Sequence, residues 1–426
     1  MRTSLVEARQ RFVEAGLIVG DAGMRWPGVG AVSASSERSS MQRNNFLRFL
    51  SFACFGLIGS LLLSHPGACA EAPIQVAMNP ASWQADGKTG FEQREGLPNG
   101  LLNVQKGTAL LQNLEFRNGT IEFDIRPLDD GMPGIQFRRR NADSMEILYL
   151  RPSPECPVAQ DCIQYVPRVH GVMPWEMYPQ YQTAAPVSER GWSHLKLVIS
   201  THRMKLFVNH AVMPAMTVGQ LAGESLEGSL ALVGPAAFAN LTVSPGATEG
   251  LPPDAAPDPE AGDRGLVRHW QVSLPSSRAL DGVAALSQMP GDTSSWRPIT
   301  AEAYGLVNLS RLYGSPTGRS TGALAWLKTD IRSDRVQTRK VSLGFLHEAT
   351  VFVNGRLMFS GQNIYQPGTP VGRLSLRNGS FDLPLQPGVN QVAVALNNIL
   401  IPGHAHYGWG LQFRLDDPSG LRMASR

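Results

Sequence analysis

The sequence predicts an all-β protein: two antiparallel β-sandwiches of jelly-roll type standing behind a signal peptide. Three observations carry that expectation. Apolar and polar side chains alternate with a period of two along much of 119–245 and 341–415. No stretch of helical spacing interrupts them. The 43 Gly and 31 Pro, set against only 17% charged residues, supply turns for many short strands. A chain of 426 residues is long enough for two or three domains. The same composition excludes a coiled coil, a multi-span membrane protein and a fully disordered chain.

Residues 1–70 read as a leader. The uncharged run FLSFACFGLIGSLLLS at 49–64 follows Arg38, Arg43 and Arg48 and precedes Ala68-Cys69-Ala70, a small-x-small cleavage pattern. About 16 apolar residues fall short of the ~20 needed to span a bilayer. Export to the periplasm or the exterior is therefore expected, with cleavage after Ala70 and with Met41 a second candidate start. The leader holds seven Arg against four acidic residues, which accounts for the formal charge of +3. What remains is neutral and lacks the electrostatic footprint of a nucleic-acid or anionic-lipid binder. The cysteines agree with export. Cys54 and Cys69 leave with the leader, and Cys156 and Cys162 share one loop, so a disulfide is expected. Closing so small a ring contributes roughly 2 kcal/mol on the loop-entropy model.

The first unit, 71–245, is read strand by strand. Ile121, Phe123 and Ile125 share one face of 119–127, while Glu122, Asp124 and Arg126 share the other. Ile135 and Phe137 oppose Gln136 and Arg138 over 134–138, and Leu148 and Leu150 oppose Tyr149 and Arg151 over 145–151. Further strands are expected at 192–200, 205–209, 226–233 and 238–244. Residues 246–262, with four Pro, four acidic side chains and almost nothing to bury, read as a solvated, partly extended linker. In the second unit, 263–426, Val341, Leu343 and Phe345 alternate, and Val351–Val353 runs into Asn354-Gly355, a strong hairpin signal. Segments 381–385 and 389–396 flank Pro387-Gly388, and 406–415 closes the unit around Gly408-Trp409-Gly410.

The segments GTIEFDIRP, GIQFRRRN, LYLRP, CIQYVP, GWSHLKLVIS, KLFVN and FANLTVSP of the first unit resemble concanavalin A-like or laminin-G-like jelly rolls. These include the jelly rolls of glycoside hydrolase family 16 and of 3-keto-disaccharide hydrolases. VFVNGRLMFSG, LPLQPGVNQVAVAL and YGWGLQF of the second unit resemble the galactose-binding-like jelly rolls that accompany glycoside hydrolases. The resemblance implies sandwich folds and a carbohydrate ligand. Sandwich folds host many unrelated functions, so activity must be read from the site.

Glu122 and Asp124 are the best carboxylate pair. Two residues apart on one strand face, their Cα atoms stand about 7 Å apart, compatible with the ~5–5.5 Å carboxyl spacing of a retaining glycosidase. The family 16 resemblance implies a third carboxylate at the next alternate position or one beyond it. Arg126 and Pro127 stand there instead. Arg126 is expected to pair with Asp124 and keep its pKa low, unsuited to a proton donor. The simpler reading is the wet face of a half-buried strand. Arg138, Tyr149, Arg151 and Gln164 are expected to line the same concave sheet, with Tyr165 and Trp175 at its edge. Together they offer rings for sugar C–H faces and donors for hydroxyls.

His404-Ala405-His406 resembles half of a metal shell without further ligands, and a Gly-flanked loop explains it more simply. Asp129-Asp130-Gly131 is a candidate calcium turn, more simply an acidic turn. No cofactor and no metal are expected. Trp409 shares a face with Leu411 and Phe413 and is expected in the core, while Asn363 and Tyr365 are expected at a loop rim. Residues 71–426 hold no HExxH, P-loop or CxxC motif. The leading expectation is an exported, non-catalytic carbohydrate-binding protein. A glycoside hydrolase using Glu122 and Asp124, and a cell-envelope interaction module, are the alternatives.

Overall fold

The computed structural model describes residues 72–276, 285–291, 293–314, 322–366, 372–399 and 408–423. The expected signal peptide, His404 and His406 lie outside them. The described chain is all-β and antiparallel throughout.

Thirteen strands build the first sandwich: β1 (Ile74–Gln75), β2 (Trp83–Arg94), β3 (Leu97–Leu111), β4 (Gly119–Pro127), β5 (Gly134–Arg139), β6 (Met145–Leu150), β7 (Ile163–Arg168), β8 (Gln182–Thr183), β9 (Ser193–Ile199), β10 (Met204–Val208), β11 (Met216–Val218), β12 (Ser229–Val233) and β13 (Ala236–Pro245). They pair in the order β11-β10-β9-β4-β13-β3-β12-β5-β6-β7-β8, with β1 on β13 and β2 on β3. One long strand turns the sheet into two layers. The Leu101–Val104 end of β3 pairs with β13, whereas Thr108–Leu110 pairs with β12. Between the layers lie Ile121, Phe123 and Ile125 of β4, Leu195 and Leu197 of β9, and Ile135, Phe137, Leu148 and Leu150 of β5 and β6, all fully buried. Alternation therefore sorts the faces as the sequence indicates.

The second sandwich has β14 (His269–Ser273), β15 (Trp296–Thr300), β16 (Val307–Asn308), β17 (Ala323–Ser333), β18 (Gln337–Phe345), β19 (His347–Val353), β20 (Arg356–Asn363), β21 (Gly379–Leu385), β22 (Gly388–Asn398), β23 (Gly410–Leu415) and β24 (Leu421–Met423). One sheet runs β15-β14-β17-β22-β19-β20 with β24 on β17, and the other runs β16-β23-β18-β21. Asn354 (φ 48°) and Gly355 (φ 81°) turn β19 into β20, as their residue types demand. Trp409 packs in this core with Leu411 and Phe413. Asn363 and Tyr365 are not rim residues but buried ones; Asn363 Nδ2 donates to the Phe345 carbonyl at 2.7 Å.

The Pro-rich segment between the units is largely exposed, as its composition predicts, but it is tethered. Ser200 Oγ donates to the Pro252 carbonyl (2.7 Å) and Gln220 Nε2 to the Ala256 carbonyl (2.7 Å). Leu251 is buried, and Arg268 closes on Asp258 at 2.7 Å. Main-chain carbonyls thus fasten to the first sandwich a stretch whose composition predicts solvation. Leu306, Leu346, Tyr365 and Leu374 of the second unit join the first unit's apolar core, so the two sandwiches pack directly.

Candidate functional site

The two outer faces of the first sandwich have opposite fates, and the sequence-predicted residues divide between them. On the β4–β9 layer, Asp124 stands across from His194 and Glu122 across from Lys196. Asp124 Oδ1 lies 2.8 Å from His194 Nδ1, and Asn240 Nδ2 donates to Oδ2 at 2.7 Å. Asn240 reaches Asp124 because β13 carries one extra residue between Ala239 and Thr242; the bulge holds Asn240 at φ 52°. The other nitrogen of His194 lies 3.5 Å from Glu122 Oε2, and its ring stacks on His210 at 4.0 Å. The expected Arg126–Asp124 pair does not form. Asp124 is taken by its cross-strand neighbours, and Arg126 instead lies over the indole of Trp192, 5.2 Å from its centroid.

Beside that stack opens a cleft of ≈ 370 Å³. Asp124, Arg126 and Trp192 form one wall, and Arg94, Glu95 and Leu97 of the β2–β3 hairpin form the other. Trp192 remains 40% exposed, unusual for a ring of its size.

The β5–β7 layer is roofed. Tyr149 OH donates to Gln164 Oε1 (2.7 Å), Arg151 Nη2 reaches both at 2.7 Å, and Gln164 Nε2 donates to the Trp175 carbonyl (2.7 Å). Four of the expected ligand-binding residues therefore meet, but they satisfy one another. The helical turn Trp175–Met177 lies over them, the Trp175 ring meets Tyr365 edge-on at 5.1 Å, and Arg373 stands over the same indole at 5.6 Å. Burial pushes the Tyr149 phenol up to about 12. Tyr165 points inward instead, its hydroxyl 2.5 Å from buried Glu146. Arg138 is 1% exposed and donates to the carbonyls of Arg117, Ser200 and Thr201. An extra residue in β5 opposite Ser229–Ala231 sets Arg138 at φ 49° and breaks its alternation. Tyr149, Gln164, Tyr165, Trp175 and Arg138 are thus buried, and of the six expected ligand-binding residues Arg151 keeps partial exposure.

Where the sandwiches meet, Gly408 N donates to Glu176 Oε1 across the junction. A Cβ on Gly408 would sit 2.8 Å from Pro174 Cβ and 2.2 Å from Met177 Sδ, so the close approach requires glycine. Burial raises the Glu176 carboxyl to about 8 and lowers the His347 imidazole, which also meets Gly408, to about 4.

Cys156 and Cys162 are joined in a disulfide, as expected. Asp130 of the acidic turn pairs with Arg190 at 3.0 Å. Among the described residues no group of three or more His, Cys, Asp or Glu side chains is placed to hold a metal ion, and no helix is long and apolar enough to cross a membrane.

No protein-family model and no curated protein sequence matches this chain. Among solved structures, it is similar to the carbohydrate-binding module CBM66 from Bacillus subtilis at 16% identity and a TM-score of 0.29, over 38% of this chain and 96% of that one. A Bacillus subtilis protein of unknown function with a galectin-like fold overlaps at 13% identity and TM-score 0.29, over 41% and 98%. The galectin LEC-6 of Caenorhabditis elegans overlaps at 15% and 0.24, over 37% and 94%. At these scores the overlaps add nothing to the reading of the cleft, which rests on its own side chains.

Sequence reasoning missed Trp192, Arg94, His194 and Asn240 as site residues. Trp192 and His194 carried a legible signal, since they stand two residues apart where the sequence predicts the strand 192–200. Asn240 had none, because its role depends on a bulge.

Proposed function

We propose that this protein is an exported carbohydrate-binding protein whose contact surface is the Trp192 cleft on the β4–β9 face. One observation carries the proposal: a half-exposed indole, with the Arg126 guanidinium over its ring, stands in an open cleft bounded by Asp124 and Glu95. Sugar rings present an apolar C–H face and a rim of hydroxyls. An indole removing ~100 Å² of that face from water contributes about 2.5 kcal/mol. Charged and amide groups around it fix orientation. The disulfide fits an oxidising compartment.

Trp192→Ala is expected to weaken saccharide binding roughly 30- to 100-fold, measured by titration calorimetry on the full chain after a glycan array has identified a ligand. Wild-type affinity in the variant, or no saccharide bound by wild type, defeats the proposal. A hydrolytic reading has one observation in its favour, the imidazole of His194 set between the Glu122 and Asp124 carboxylates. Equal turnover by Glu122→Gln and wild type on every polysaccharide tested, including none by either, removes it.

A further inference from the structure

The charged groups of the cleft differ in how far they are already engaged. Both oxygens of Asp124 are occupied, by His194 and Asn240. The Arg126 side chain makes no hydrogen bond and no ion pair among the described residues, and its Nε is buried without an acceptor. That is a costly state for a guanidinium, whose fork matches a carboxylate with two parallel N–H···O bonds. Elsewhere Arg268, Arg311 and Arg414 meet carboxylates at 2.7, 2.6 and 2.7 Å, while Arg168, Arg339 and Arg373 share with Arg126 a buried Nε without an acceptor. Arg94, exposed at the hairpin tip on the opposite wall, likewise has no ion pair or hydrogen bond among the described residues. Glu95, beside it, is the one acidic group of the cleft wall without a protein partner among those residues.

We infer that the cleft selects acidic saccharides, with Arg126 gripping the carboxylate of a uronate while Trp192 stacks on its ring. The inference rests on the proposed function and names the substrate class of the same site. The indole supplies the apolar platform that any pyranose needs. Arg126, its guanidinium 5.2 Å from the centroid of that ring, adds a cation beside the platform. Because the body of the protein carries no net charge, the preference comes from the cleft and not from the general field. Asp124 is turned toward its own neighbours, so it offers less repulsion than its formal charge implies.

The test pairs oligogalacturonate, oligomannuronate and oligoglucuronate with their neutral galacto-, manno- and gluco-oligosaccharides of equal length. Calorimetry on the full chain at low salt is expected to show at least one uronate bound about 10-fold tighter than its neutral counterpart, a margin that shrinks as salt screens it. Arg126→Gln is expected to bring the ratio to within about two-fold, whatever its effect on the neutral sugar, and Arg126→Lys to restore part of it. If Arg126→Gln does not fold, Arg94→Gln on the exposed turn carries the test, with a reduced uronate preference expected. Equal binding of neutral and acidic partners by wild type, a preference that survives Arg126→Gln, or selection of sulfated sugars over uronates overturns the inference and leaves carbohydrate binding standing. Absence of any saccharide binding overturns the proposed function itself.

Discussion

Arg138→Ala is expected to lower the unfolding free energy by roughly 3–5 kcal/mol, one of the largest single losses available in the first sandwich. The guanidinium donates to three main-chain carbonyls at 2.6–3.0 Å, from Arg117, Ser200 and Thr201. It thereby ties the segment before β4 to the turn after β9. Alanine strips those carbonyls of their donors. A second loss follows at Glu146. Its carboxyl is raised above the ordinary range by burial, held back by the Tyr165 hydroxyl and by the charge of Arg138. Removing the cation leaves Glu146 with less compensation. Arg138→Lys is expected to recover less than half, because one ammonium cannot span three diverging acceptors. Denaturant unfolding measures both; a cost below about 1 kcal/mol for alanine would show that the carbonyls find other donors. Saccharide affinity at the Trp192 cleft is expected to survive in the folded fraction, since Arg138 lies away from it.

Stability is expected to fall as pH rises from about 6.5 to about 8, and Glu176→Gln to remove the Glu176 share of that fall. The folded chain keeps the Glu176 proton up to about 8, whereas an unfolded glutamate loses it near 4.5. Between those values the folded state binds more protons, so each rise in pH costs it stability. His347 acts in the opposite sense. Its folded value of about 4 lies below the ordinary 6.5, so the unfolded state binds the extra proton between them and stability rises with pH there. From about 4.5 to 6.5 the two slopes oppose each other. Above 6.5 the Glu176 slope remains, together with that of Glu146, which burial also raises. Thermal melts of wild type and Glu176→Gln are expected to agree within about 1 kcal/mol at pH 5, the value of one neutral hydrogen bond. By pH 8 the variant is expected to lead by roughly a few kcal/mol. Parallel profiles across pH 6.5–8 would show that the carboxylate is already ionised in the folded junction.

The fold was legible because its information is local. Ile121, Phe123 and Ile125 stand on one face and Glu122, Asp124 and Arg126 on the other as a direct consequence of the pleat, and the structure keeps that sorting. The Asn354-Gly355 hairpin needs only the left-handed tolerance of two residues. Cys156 and Cys162 needed only a shared loop and an oxidising compartment. The candidate site was legible in part: Asp124 was named from β4, while its partners on β9 and β13 were not. Cross-strand neighbours depend on register, and register in β13 is shifted by a bulge that no residue type announces.

The chain's own order of residues settles which side chains leave each strand together, since a period of two is built into the backbone. It does not settle what lies on top of them. Tyr149 and Gln164 face outward from their sheet as surely as Asp124 does, yet Trp175, Tyr365 and Arg373 cover them and leave the Asp124 face open. That choice was made by packing between segments as much as two hundred residues apart, through contacts whose energy depends on shape and mutual burial, neither of which any local pattern encodes.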